Sequence, residues 1–178
     1  MTIRHAVAAA ALATSLFLTG VSSARAGDGP LDQIGGGCVP DSATIRAGLY
    51  ETRGFGVGFS GRSTGKIRLL CPFNVTGNMI GTKIGITFMN VIDDDGMLPG
   101  ARVTATFRHA ALASNVAVTN GTCDSNTSSF PGPHNVSCTF AADTIKINQS
   151  YWWDVSIERT NPSVNVEFLS VGMRYLAQ

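Results

Sequence analysis

"YWWDVSIERT", residues 151–160, alternates strictly: Tyr151, Trp153, Val155 and Ile157 at odd positions, Trp152, Asp154, Ser156 and Glu158 at even ones. Successive side chains of an extended strand point to opposite faces, so this segment has one apolar face and one polar face. Such a strand belongs in an antiparallel sheet that rests one face on a core and wets the other. The two tryptophans are the only ones in the chain. Parity separates them: Trp153 is predicted to join the core and Trp152 to stand in the polar row.

The same period recurs outward from this segment. Phe55, Val57 and Phe59 share a face, as do Ile67, Leu69 and Cys71, and as do Val103, Ala105 and Phe107 against Arg102, Thr104, Thr106 and Arg108. Ile84, Ile86 and Phe88 oppose Lys83, Gly85 and Thr87, and Ile45, Ala47 and Leu49 read as one more strand face. Near the end, Val164, Val166 and Phe168 are followed by Leu169, Val171, Met173 and Tyr175 on the opposite parity, a change that a bulge near Phe168 would repair. With segments around Val116 and Ser137 this makes about eight or nine strands, separated by Gly, Asn and Pro turns. The expected fold is an all-β antiparallel β-sandwich, Ig-like or jelly-roll-like, forming a single domain over 38–178. A small outer-membrane barrel would also use antiparallel strands, but it needs a continuous lipid-facing apolar row, and the outer faces here carry Lys, Arg and Glu.

Ahead of the domain, Arg4 and His5 precede an apolar run from Ala6 to Val21 and small residues at Ala24 and Ala26. This reads as a signal peptide over 1–26 with cleavage after Ala26, leaving about 150 residues for one core. Residues 27–37, "GDGPLDQIGGG", read as a glycine-rich flexible lead-in. Export, to the periplasm or beyond the cell, places Cys38, Cys71, Cys123 and Cys138 where disulfides form. The simplest of the three pairings is Cys38–Cys71 with Cys123–Cys138, each bracketing a local segment. A zinc site on His134, Cys138 and the other thiols lacks any C-x-x-C pair.

Thirteen Lys and Arg stand against 12 Asp and Glu, scattered along the chain, so no basic stripe awaits a nucleic acid. Gly56 to Gly61 spell G-x-G-x-x-G, but inside an alternating strand and not at a strand-to-helix turn, so no dinucleotide is expected. The bare face of Gly54, Gly56 and Gly58 instead invites something to lie close over it. Asp93, Asp94 and Asp95 before Gly96 could supply oxygens to Ca²⁺, yet EF-hand spacing fails at Val91 and Arg102, and "DDDGMLPG" reads as a polar turn between strands. No cofactor is implied.

For catalysis the sequence offers His109 and His134 but neither a G-x-S-x-G nor an H-E-x-x-H motif. Asp154 and Glu158 share one face about 13 Å apart, too far for a glycosidase pair. Trp152 flanked by Asp154 and Glu158 is the kind of surface on which a sugar ring stacks while its hydroxyls find acceptors. The competing expectation is that Trp152 packs beneath a crossing loop or against the Cys123–Cys138 segment.

The run "CVPDSATIRAGLYETRGFGVGFSGRSTGKIRLLCPF", together with "YWWDVSIER" and the terminal "VEFLSVGMRYL", resembles exported β-sandwich proteins of Gram-negative bacteria to which no activity is assigned. The resemblance implies a secreted sandwich and transfers no active site. The reading that emerges is a non-enzymatic domain that binds a glycan or another envelope component. The alternatives are a structural envelope or surface-assembly subunit without a small ligand, and a hydrolase whose site the sequence hides.

Overall fold

Turn chemistry cuts the chain into short extended pieces, and alternation gives each piece a face to bury. The computed structural model describes residues 31–54, 56–114 and 116–176; the expected signal peptide lies outside them. Eleven strands are formed among the described residues: β1 (Leu31–Ile34), β2 (Val39–Pro40), β3 (Tyr50–Arg53), β4 (Gly56–Phe59), β5 (Gly65–Phe73), β6 (Lys83–Asp93), β7 (Ala101–Ala111), β8 (Val118–Asp124), β9 (Gly132–Thr144), β10 (Gln149–Arg159) and β11 (Val166–Tyr175). One sheet runs β3-β4-β11-β6-β9 with β1 also on β11, and the other runs β2-β5-β10-β7-β8. From β4 onward the first half of the chain pairs with the second: β4 with β11, β5 with β10, β6 with β9, β7 with β8, all antiparallel. This is jelly-roll winding, in two stacked sheets.

The core lies between the sheets. Tyr151, Trp153, Val155 and Ile157 of β10 are all buried there, beside Ile67, Leu69 and Cys71 of β5 and Val103, Ala105 and Phe107 of β7. Trp153 meets Phe73 edge-on at 5.4 Å and Phe107 at 5.2 Å, while Phe107 stacks on Tyr151 at 5.9 Å. The bulge expected near Phe168 occurs between Phe168 and Ser170, and it lets Val166, Phe168, Val171 and Met173 all reach the core. Disulfides join Cys38 to Cys71 and Cys123 to Cys138, as the spacing suggested.

Three local readings are corrected. Ser42–Ala47 is a short helix, α1, and not the start of a strand, so Ile45 is exposed. Asp41 caps its N-terminus by accepting from the Thr44 N–H at 2.7 Å, and Gly48 closes it in the left-handed region. Thr44 turns inward, where its hydroxyl accepts from the Arg68 N–H at 2.8 Å. Residues 27–37 are not simply a flexible lead-in, because Leu31–Ile34 adds a strand to β11 and Gly35 is buried. A Cβ on Gly35 would come within 2.6 Å of the Phe168 carbonyl oxygen, so glycine there permits close packing.

The third correction concerns β6, where Ile84, Ile86 and Phe88 do not share a face. A register shift against β9 between Ile84 and Ile86 reverses the parity. Ile84 is in the core, but beyond the shift the interior positions are Met89 and Val91, in phase with Thr87 and Asp93. Phe88 lies on the other face under the Arg174 guanidinium, 5.5 Å from its ring centroid.

Candidate functional site

Since Trp153 points into the core, strand geometry turns Trp152 to the outer face of the five-stranded sheet. Cys123 is buried on the inner face, so Trp152 does not pack against the Cys123–Cys138 staple. Its cross-strand neighbours are Pro72 on β5 and Arg108 on β7. The indole is partly exposed, and its N–H donates to Asp154 Oδ1 at 3.1 Å. The other carboxylate oxygen of Asp154 pairs with Arg108 Nε at 2.7 Å. Indole, carboxylate and guanidinium are therefore neighbours on the outer face, the Arg108–Asp154 contact being an ion pair without hydrogen-bond geometry.

Glu158, at the far end of the row, bonds Lys66 Nζ at 2.6 Å. That hydrogen bond is the largest cause holding its carboxyl below the usual range. Arg102 pairs with Asp124 one strand further on, and the Thr106 and Thr122 hydroxyls meet at 2.9 Å. The face is thus a lattice of cross-strand ion pairs and hydroxyls with one aromatic plate on its central strand. The three expected site residues, Trp152, Asp154 and Glu158, do share this face, but only Trp152 and Asp154 touch. Sequence reasoning missed Arg108, whose partner could have been found only from the register of β7 on β10.

The bare glycine face of β4 is covered by its own neighbour strand. A Cβ on Gly58 would lie 2.8 Å from Glu167 Cγ and one on Gly56 2.9 Å from Leu169 Cδ2, whereas Gly54 sits in the β3–β4 turn with positive φ. Glu167, largely buried over Gly58, is met by Arg53 Nη1 at 2.8 Å. No helix follows the G-x-G-x-x-G run; Gly61 lies in a turn that leads to β5.

His109 Nδ1 lies 2.8 Å from the Asn120 side-chain oxygen and 3.4 Å from Asp143, and Asn120 donates to the same carboxylate at 2.9 Å. His134 Nδ1 donates to the Gly132 carbonyl at 2.8 Å. Among the described residues no serine hydroxyl bonds to either imidazole. On the opposite face, Ile34, Asn90, Pro133, Asn135, Leu169 and Ser170 line a shallow groove crossed by an amide ladder. In it Asn135 donates to Asn90 at 2.9 Å and Asn90 to Ser170 at 2.8 Å.

Asp94, Asp95 and Gly96 form the β6–β7 turn that the sequence suggested. Asp94 is exposed but Asp93 is completely buried, which the turn alone does not explain. Among the described residues no three His, Cys, Asp or Glu side chains converge as a metal-binding group, and no helix is long and apolar enough to cross a membrane.

No protein-family profile and no curated protein matches this chain. Among solved structures, it is similar to the Eiger TNF of S. frugiperda, at 14% identity over 56% of this chain and 62% of that one, with a TM-score of 0.31. It is also similar to TmCBM61 in complex with β-1,4-galactotriose, at 11% identity over 78% of this chain and 87% of that one, with a TM-score of 0.39. At these scores neither likeness bears on function.

Proposed function

We propose that this is an exported, non-catalytic jelly-roll domain that binds a glycan or another cell-envelope component through the outer face of its five-stranded sheet. The observation that carries the reading is Trp152, an indole held partly exposed in an otherwise polar row with its N–H fixed by Asp154. An aromatic plate of this kind offers the C–H face of a sugar a stacking surface. The Asp154–Arg108 pair beside it supplies both acceptors and donors for hydroxyls. Two disulfides and the leader-like first 26 residues support an exported site of action. The resemblance to exported Gram-negative β-sandwich proteins fits the same setting.

The test is binding of the purified protein to a glycan array and to isolated cell-wall and outer-envelope fractions, repeated with Trp152→Ala. The expected result is retention of the protein by one glycan class and a loss of at least about tenfold in affinity for the variant. Equal binding by both proteins would move the site elsewhere, and no binding to any fraction would favour the structural-subunit reading.

A further inference from the structure

The interior positions of β6 beyond its register shift are Thr87, Met89, Val91 and finally Asp93, a carboxylate with 0% of its surface exposed. No contact of either Asp93 oxygen meets full hydrogen-bond geometry, although the Ser125 hydroxyl and the Asp95 N–H are close enough to favour its charged form, and Oδ1 of Asp95 is likewise buried without a geometric partner. Among the described residues no guanidinium or ammonium acts on Asp93. Burial is the largest influence, pushing its carboxyl up to about 6; the Ser125 hydroxyl counteracts this and the Asp95 carboxylate adds to it. Buried charges in proteins are paired, coordinate metals or are neutralised by a proton, and no basic side chain among the described residues supplies the pair.

We propose that Asp93 and Asp95 bind a Ca²⁺ ion at the β6–β7 turn, with the Ser125 hydroxyl beside them. Ca²⁺ takes six to eight oxygens in a tolerant geometry, accepts carboxylates in bidentate fashion, and is completed by hydroxyls, carbonyls and water. Two carboxylates two residues apart and a hydroxyl from the turn after β8 are ligands of that class. Asp94 is not part of the site, since it is exposed and its N–H is bonded to the Asn165 carbonyl at 3.1 Å. A side chain on Gly100 would meet Asp95 Oδ2, so glycine there leaves that carboxylate room. Mg²⁺ fits less well, since it keeps most of its waters and Asp93 is fully enclosed. An ion at this position ties the end of β6 to the segment after β8 and stabilises one end of the sandwich.

The experiment is thermal unfolding and isothermal titration of the purified, EDTA-stripped protein with Ca²⁺ or Mg²⁺ to about 10 mM, near pH 7.5 and near pH 5. The expected result is one Ca²⁺ per chain and a rise in Tm of roughly 3 to 10 °C at the higher pH. The rise should shrink at the lower pH, be small with Mg²⁺, vanish in Asp93→Asn and Asp95→Asn, and persist in Asp94→Asn. An unchanged Tm with no heat of binding would overturn the proposal and leave the two carboxyls sharing a proton. An equal rise in the wild type and Asp93→Asn would overturn it by placing the ion elsewhere. The titration of the wild-type protein decides the matter even if a variant fails to fold.

Discussion

Trp152 and Trp153 are consecutive residues that serve opposite sides of one sheet: Trp153 is 0% exposed among Phe73, Phe107 and Tyr151, while Trp152 lies on the outer face with its N–H on Asp154. Trp153→Ala should cost on the order of 3 to 5 kcal/mol in urea unfolding, since it removes a large buried side chain and leaves a cavity. Trp153→Phe should cost much less, because the indole N–H it removes has no partner. Trp152→Ala should cost under about 1 kcal/mol, as surface substitutions usually do. Equal costs at 152 and 153 would mean that the outer face is covered, and would remove the platform.

Arg53 and Glu167 form an unequal pair, with side-chain exposures of 40% and 10%. Arg53→Ala leaves a largely buried carboxylate without its cation and should cost about 2 to 3 kcal/mol, less than a fully buried pair because water still reaches the arginine side. Glu167→Ala leaves a half-exposed arginine still held by Glu51 and the Phe59 carbonyl, and should cost less. Chemical denaturation of both variants checks the order; the reverse order would show that packing of Glu167 over Gly58 matters more than charge.

Glycines should divide by what lies above them. Gly35→Ala meets the Phe168 backbone, which cannot step aside, and should cost about 2 to 3 kcal/mol. Gly61→Ala meets open space and bears only the strain of its left-handed backbone, about 1 kcal/mol. Thermal melts of the pair give the comparison.

Acidity should stabilise the cation-free protein. Asp93 is raised to about 6 by burial first and by Asp95 next, so the folded state takes up a proton before the unfolded chain does. Stability in EDTA should therefore rise as pH falls through about 6, level off near the unfolded carboxyl value of about 4, and be lost again on returning to neutral pH. In Asp93→Asn this dependence should disappear. A wild-type profile that is flat between these limits would contradict the burial of an ionisable Asp93.

Oxidation and export can be read from one mass spectrum. Protein from its native host should begin near Gly27 and weigh four hydrogens less than its reduced form. Reduction should then destabilise it by roughly 3 to 4 kcal/mol for each loop released. Four alkylatable thiols in the native protein, or a retained leader, would refute the export argument.

Alternation by itself determined the strand class of most segments, the opposite faces of Trp152 and Trp153, and the bulge after Phe168, because strand parity is a local property that the order of residues carries. Cysteine spacing suggested the two disulfides for a similar reason, since each closes a short loop. Part of the face we propose for binding was legible in the same way: Trp152, Asp154 and Glu158 share it, but the Arg108 partner depended on cross-strand register. Only the tertiary structure decided that Asp93 is interior. The sequence shows an acidic turn, whereas the shift between Ile84 and Ile86 reverses the phase of β6 and carries its last residue inward. The same holds for Gly56 and Gly58, whose bare face is filled by Glu167 and Leu169 from a strand more than a hundred residues away. What covers a face, and which charge loses its water, depends on the pairing of distant strands, and a local period does not record that pairing.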